Sequence, residues 1–232
     1  MINHFPVICV DDFYDDPDKI RNFALSQSFY HTEDGKWPGK RTKHLADINR
    51  EFFNEFCHKL FSLYFDLDNT HMQWDVTTGF QLIEPFSHDE TSPKNKGWIH
   101  HDTDAVLGGI IYLNDDAIDT AGTHIYRLKD GCTREQTYSP WYIDTKKKYY
   151  KDGIDDNYDN LILEHTNMFT EVATFKNIYN RLVSFDGNDF HGVNSFYTTG
   201  APRLTQYFFV NKIEMHSQTP LDKMRKYGNF KI

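Results

Sequence analysis

The sequence predicts an α+β protein that is mainly β: two amphipathic helices near the amino terminus, then an antiparallel sandwich or jelly roll. Three observations lead there. Helical periodicity is strongest in the first 64 residues, short β-prone runs take over from Met72, and turn residues separate most of those runs.

Asp16-Pro17 opens the first helix, since a carboxylate caps free backbone N–H groups and proline tolerates the first turn. Ile20, Phe23, Ala24 and Gln27 then recur at helical spacing. A second helix is predicted over Asn49 to Tyr64, where Phe52, Phe53, Phe56, Leu60, Leu63 and Tyr64 form an apolar stripe, and Trp37-Pro38-Gly39 marks a turn between the two. Strands are predicted at Met72–Ile83, Gly108–Leu113, Thr123–Tyr126, Arg181–Phe185 and Leu204–Val210. Asn114-Asp115-Asp116 and Thr199-Gly200-Ala201-Pro202 punctuate them, which favours antiparallel connections. The polar stretch from Lys129 to Asn160 reads as an inserted loop, a lid or a solvated insertion, in a single domain over residues 1–232. Its run Lys146-Lys147-Lys148-Tyr149-Tyr150 reads as exposed charge, and the last 20 residues as a polar tail.

Composition narrows the function classes. Hydrophobic residues make up 39% and aromatic residues 16%, enough to build a buried core. A net charge of -9 disfavours a broad basic surface for nucleic acid. Cys9, Cys57 and Cys132 have neither disulfide density nor zinc-site spacing, and neither Cys57 nor Cys132 sits in an activating context, so a reducing cytosol is the expected compartment. No apolar run reaches the roughly 18 residues of a membrane span, and the first residues lack an export-signal pattern. Asp152, Asp155, Asp156 and Asp159 lack the glycine and glutamate of a calcium loop.

The chemistry concentrates in Trp98-Ile99-His100-His101-Asp102-Thr103-Asp104. Residues two apart on an extended strand share a face, so His100 and Asp102 can reach one metal ion together. Pairing His101 with Asp104 would require a bend, and His101 is expected to face the other way. Two imidazoles and one carboxylate on one face of an octahedron leave open positions, the arrangement of non-haem Fe(II) oxygenases. The second imidazole is assigned to His191, which follows an apolar run and a turn, with Asp186 and Asp189 as candidates for orienting it. Arg203 opens a largely apolar strand, where a guanidinium needs an anionic partner. Its planar fork suits a carboxylate whose other end chelates iron.

These residues, in this order, resemble the Fe(II)- and 2-oxoglutarate-dependent dioxygenases, particularly the prolyl-hydroxylase-like branch and members encoded by phages and bacteria. The resemblance extends to Ile111-Tyr112-Leu113-Asn114, to Gly122-Thr123-His124-Ile125-Tyr126, and to the opening Val10-Asp11-Asp12-Phe13-Tyr14 with Pro17, Arg21 and Ala24-Leu25. It implies a double-stranded β-helix, with His100, Asp102 and His191 as iron ligands and Arg203 holding the distal carboxylate of 2-oxoglutarate. It also implies that Tyr112 helps hold that carboxylate, with core packing as the alternative. Thr205, two residues beyond Arg203 on the same face, is a further hydroxyl donor or an ordinary strand residue. The implied reaction consumes dioxygen, converts 2-oxoglutarate to succinate and carbon dioxide, and hydroxylates an amino-acid or peptide side chain. Another small metabolite is the next substrate class. A non-catalytic jelly-roll binding protein and a cupin-type metal enzyme without 2-oxoglutarate are the rivals, and the latter would not depend on Arg203.

Overall fold

The protein is described here by a computed structural model covering residues 4–69, 71–115, 121–153 and 155–215. Most of the expected polar tail, and Asp116 of the expected turn, lie outside them.

Two helices form where the apolar spacing places them. Helix α1 (Pro17–Leu25) is capped by the Asp16 carboxylate, which accepts from the Lys19 N–H at 3.1 Å. After a single turn, α2 (Leu45–Ile48), comes α3 (Arg50–Ser62), capped by the Asn49 side chain on the Phe52 N–H. The buried stripe of α3, including Phe53, Phe56, Leu60 and Phe61, faces a sheet.

That sheet has seven strands. Its members are β1 (Ile8–Val10), β2 (Tyr30–His31), β3 (Lys40–Arg41), β4 (Met72–Ile83), β5 (Leu107–Tyr112), β8 (Leu182–Asp186) and β10 (Arg203–Met215), in the order β1-β8-β5-β10-β4-β3-β2. The second sheet, β6 (Thr123–Leu128), β7 (Phe169–Phe175) and β9 (Phe190–Val193), runs β7-β6-β9. All pairings within both are antiparallel, as the turn-rich breaks predict. Alternation along β10 shows the division of labour. Leu204, Phe208 and Val210 join the core under α3, while Arg203, Thr205, Tyr207 and Phe209 point toward the cleft between the sheets.

Five strands were not predicted: β1, β2, β3, β7 and β9. Three of them have two or three residues and another has four, too few for alternation to register. The inserted loop expected at about 129–160 is corrected outright. It holds α4 (Arg134–Thr137), α5 (Pro140–Asp152) and the start of α6 (Tyr158–Asn167). The helical signals were present: a capping box joining Thr133 and Gln136, Pro140 at the first turn of α5, and Gly153 at φ 71° ending it. The many charges hid a buried stripe, in which Tyr149, Tyr150, Tyr158 and Ile162 pack with Trp98. Among the described residues no helix is long and apolar enough to cross a membrane.

Candidate functional site

His191 and His100 meet across a short antiparallel pairing. After β8, Gly187-Asn188-Asp189 turns the chain from the large sheet into β9 of the small one, where His191 lies opposite Ile125 of β6. Segment 97–100 runs beside β9: the Gly97 N–H donates to the Val193 carbonyl at 2.9 Å, and His100 and His191 exchange backbone hydrogen bonds of 2.9 and 2.8 Å. Asp102 follows, its N–H fixed on the Gly187 carbonyl at 2.8 Å. One atom each of His100, Asp102 and His191 then lies within 4.8 Å of the others.

Hydrogen bonds decide which atoms face the shared point. His100 Nδ1 is 2.8 Å from the Trp98 carbonyl and His191 Nδ1 is 2.9 Å from the Asp189 carbonyl. A carbonyl only accepts, so in each neutral imidazole Nδ1 carries the proton and Nε2 presents its lone pair. Burial holds the His100 pKa well below the usual value, aided by the neighbouring His191 and Lys146, which keeps that lone pair free. Both Nε2 atoms point at the Asp102 carboxylate, at 3.8 Å for His100 and 3.5 Å for His191. Asp102 Oδ2 is buried without a hydrogen-bond partner. Three electron-pair donors aimed at one another repel, and a cation between them removes the repulsion. Gly108 leaves room for this carboxylate, because a Cβ there would sit 3.2 Å from Asp102 Oδ2. The Phe185 ring packs on His191 with 4.1 Å between centroids.

Asp186 and Asp189 divide differently from the expectation. The main-chain carbonyl of Asp189, not its carboxylate, bonds the His191 ring. Asp186 instead accepts from Phe5 N–H at 2.7 Å and from Asn188 N–H at 2.9 Å, tying the turn to the amino-terminal segment. His101 points away from the cluster, its ring nitrogen 2.6 Å from the Tyr138 hydroxyl, and burial pushes its pKa down to about 4.

Deeper in the cleft, Arg203 is buried and its Nε donates to the Ala121 carbonyl at 2.9 Å, while Nη2 has no partner. Its guanidinium carbon lies 5.5 Å from the centre of the Tyr112 ring. Tyr112 bonds Thr123 Oγ1 at 2.8 Å and stands directly across from Thr205, whose buried hydroxyl is also unpartnered. A buried cation with a free N–H edge beside a free hydroxyl is a receptor for an oxyanion.

Two residues at the site escaped sequence reasoning. Arg41 on β3 stacks its guanidinium 4.1 Å from the Tyr207 ring and 4.6 Å from the Trp37 ring. Lys146 on α5, expected to be exposed, is half-buried and lies 5.8 Å from the Tyr150 ring. Burial pushes its pKa down to about 8 against the opposing pull of the Asp102 carboxylate, and lowers that of Arg41 to about 10. A periodicity check on 140–152 would have placed Lys146 beside Tyr142 and Tyr150 on one helix face. No local signal marks Arg41, whose strand has two residues.

Comparison with solved structures defines the fold class. HygX from Streptomyces hygroscopicus, a structure with nickel and 2-oxoglutarate bound, superposes with a TM-score of 0.50 at 10% identity, covering 89% of this chain and 83% of that one. The epimerase SnoN, in complex with Fe3+, alpha ketoglutarate and nogalamycin RO, gives 0.50 at 11% identity, covering 89% and 80%. A prolyl-4-hydroxylase from Pseudomonas putida gives 0.45 at 12% identity, covering 90% and 94%. The fold is the double-stranded β-helix of the 2-oxoglutarate oxygenases, as the sequence resemblance implies. By sequence, residues 2–194 match the model of a family of unknown function, DUF6445, and the chain belongs to that family. No curated protein matches it.

Proposed function

We propose that this chain is an Fe(II)- and 2-oxoglutarate-dependent oxygenase. The observation that carries the reading is the donor set: two Nε2 lone pairs and a carboxylate converge within 4.8 Å, beside a buried arginine with a free N–H edge. His100, Asp102 and His191 hold the iron, and Arg203 takes the distal carboxylate of 2-oxoglutarate, with Tyr112 and Thr205 beside it. HygX and SnoN, which share the fold, were solved with 2-oxoglutarate and nickel or iron.

When bound, the metal and cosubstrate supply dioxygen activation coupled to decarboxylation of 2-oxoglutarate to succinate and carbon dioxide. The chain supplies geometry and electrostatics. Carbonyls of Trp98 and Asp189 lock both imidazoles in the ligating tautomer. Arg203 neutralises a carboxylate in a site from which burial excludes water, where a charged hydrogen bond is strong. The product class is a hydroxylated amino-acid or peptide side chain, with other small metabolites next.

The test is anaerobic reconstitution with Fe(II), then measurement of succinate formed from 2-oxoglutarate in air. Turnover in the wild type and its loss in His100→Ala and Arg203→Gln is the expected result. Turnover undiminished in Arg203→Gln would leave the cupin-type reading, and no metal-dependent turnover would leave the binding protein.

A further inference from the structure

Across the large sheet, Tyr112, Thr205, Gln81 and Arg41 form one row on four adjacent strands, each residue standing opposite the next. Residues in such a row share a face, so Arg41 projects into the same cleft as Thr205. Two strand spacings, roughly 10 Å, separate the Arg41 backbone from that of Thr205. The two arginines lean apart. Arg203 reaches toward Tyr112 and Ala121, whereas Arg41 lies over Tyr207 and within 5.8 Å of the Phe209 ring. Lys146 stands on helix α5, half-buried, with its amine 5.8 Å from the Tyr150 ring. Helix α5 is held against the loop before β3 so closely that a side chain at Gly35 would collide with the Lys147 carbonyl. The Trp37 ring, 4.6 Å from the Arg41 guanidinium, stands two residues beyond Gly35, so α5 flanks the Arg41 end of the row.

Neither cation has a carboxylate paired with it among the described residues: none lies within 4.0 Å of the Arg41 guanidinium or the Lys146 amine, and Arg41 Nε is buried without a partner. This is unusual in a chain of net charge -9. Nor do the proposed reactants absorb them: ferrous iron with Asp102, and the 2-oxoglutarate dianion with Arg203, balance one another. The Arg41 guanidinium packs against the Trp37 and Tyr207 rings and hydrogen-bonds the Tyr207 hydroxyl, which fixes its plane while Nε stays unpartnered and available to an oxyanion.

We propose that Arg41 and Lys146 form an anion site across the cleft from the cosubstrate pocket, which takes a carboxylate or phosphate group of the substrate and turns the rest of that molecule toward the metal. The site deepens the oxygenase reading and rests on it for the word substrate, but the anion binding stands on these two side chains alone. A substrate held there carries its own negative charge and presents a carbon some distance from it, so free amino acids with acidic side chains, peptide carboxylates and phosphorylated metabolites fit, whereas neutral peptides do not.

The test is calorimetric titration of the full chain with N-acetyl-L-glutamate, with inorganic phosphate and with neutral N-acetyl-L-glutaminamide, first without additions and then with Mn(II) and 2-oxoglutarate saturating. At least one of the two anions binds one-to-one, and N-acetyl-L-glutaminamide binds at least tenfold more weakly or not at all. Arg41→Gln and Lys146→Met each weaken the anion at least tenfold while 2-oxoglutarate affinity moves less than twofold, and Arg41→Lys recovers part of the loss. Arg203→Gln does the reverse. Titrating 2-oxoglutarate itself with and without Mn(II) separates the two claims: anion binding without Mn(II)-dependent 2-oxoglutarate binding would sink the oxygenase reading alone. Failure of both anions to bind, equal binding by N-acetyl-L-glutaminamide, or a 2-oxoglutarate affinity that falls with Arg41 or Lys146 would overturn the site. Thermal unfolding of each variant within a few degrees of wild type establishes that binding, not folding, has changed.

Discussion

Gly108 is a residue whose role lies in what it lacks. With a methyl group in its place, Asp102 Oδ2 and the Phe185 ring would be approached to 3.2 and 3.4 Å, and the carboxylate is the softer neighbour. Gly108→Ala is therefore expected to move Asp102 and weaken Mn(II) binding by about tenfold, the scale of a disturbed ligand-orienting contact. Calorimetry measures it, and unchanged affinity would mean that the carboxylate is not a ligand. Arg203 offers the complementary case. Removing its free N–H edge in Arg203→Gln costs a charged hydrogen bond of about 1.5–3 kcal/mol, so the dissociation constant for 2-oxoglutarate rises roughly 10- to 150-fold while Mn(II) affinity holds.

Elements differ in how much of the molecule rests on them. Helix α3 and β10 share the main core, where Phe56 and Phe208 rings meet at 5.6 Å and both are buried. Phe56→Ala is expected to cost about 3–5 kcal/mol, read by urea denaturation. Helix α6 contributes a different sensitivity through His165. That ring is fully buried, stacks on Trp98 at 4.1 Å, donates from Nε2 to the Ile99 carbonyl at 2.6 Å, and has no partner for Nδ1. Burial pushes its pKa from 6.5 down to about 4. The unfolded chain thus takes up a proton first. The stability His165 contributes is complete above pH 6.5, declines as pH falls, and is lost below about 4, a change of about 3 kcal/mol. His100 and His101 shift in the same direction. Urea midpoints between pH 7 and 4 in the metal-free protein should fall, and His165→Phe should flatten that slope.

At the scale of the whole molecule, the cleft brings together residues far apart in the chain. Arg41, His100, Lys146, His191 and Arg203 come from a two-residue strand of the large sheet, a short extended segment, a helix, a strand of the small sheet and a long strand of the large sheet. Most of the long strands and both main amino-terminal helices were legible beforehand, because a dozen residues of alternation or an amphipathic stripe repeat often enough to be read. The helices α4 to α6 were not, because charges dominated the composition and concealed the aromatic stripe. The proposed ligands were visible because HxD binds residue type to a two-residue strand period, and His191 and Arg203 followed in a recognisable order.

What the sequence determined by itself was local: helices and strands with strong periodicity, and the residue types that suit a metal and a carboxylate. The tertiary structure decided which of those groups meet, which nitrogen of each imidazole is bare, that Arg41 shares a sheet face with Thr205, and that Lys146 is half-buried. The reason is physical. Periodicity is written in neighbours along the chain, whereas convergence and burial depend on turns and sheet pairings between residues more than a hundred positions apart, such as Leu82 with Leu204.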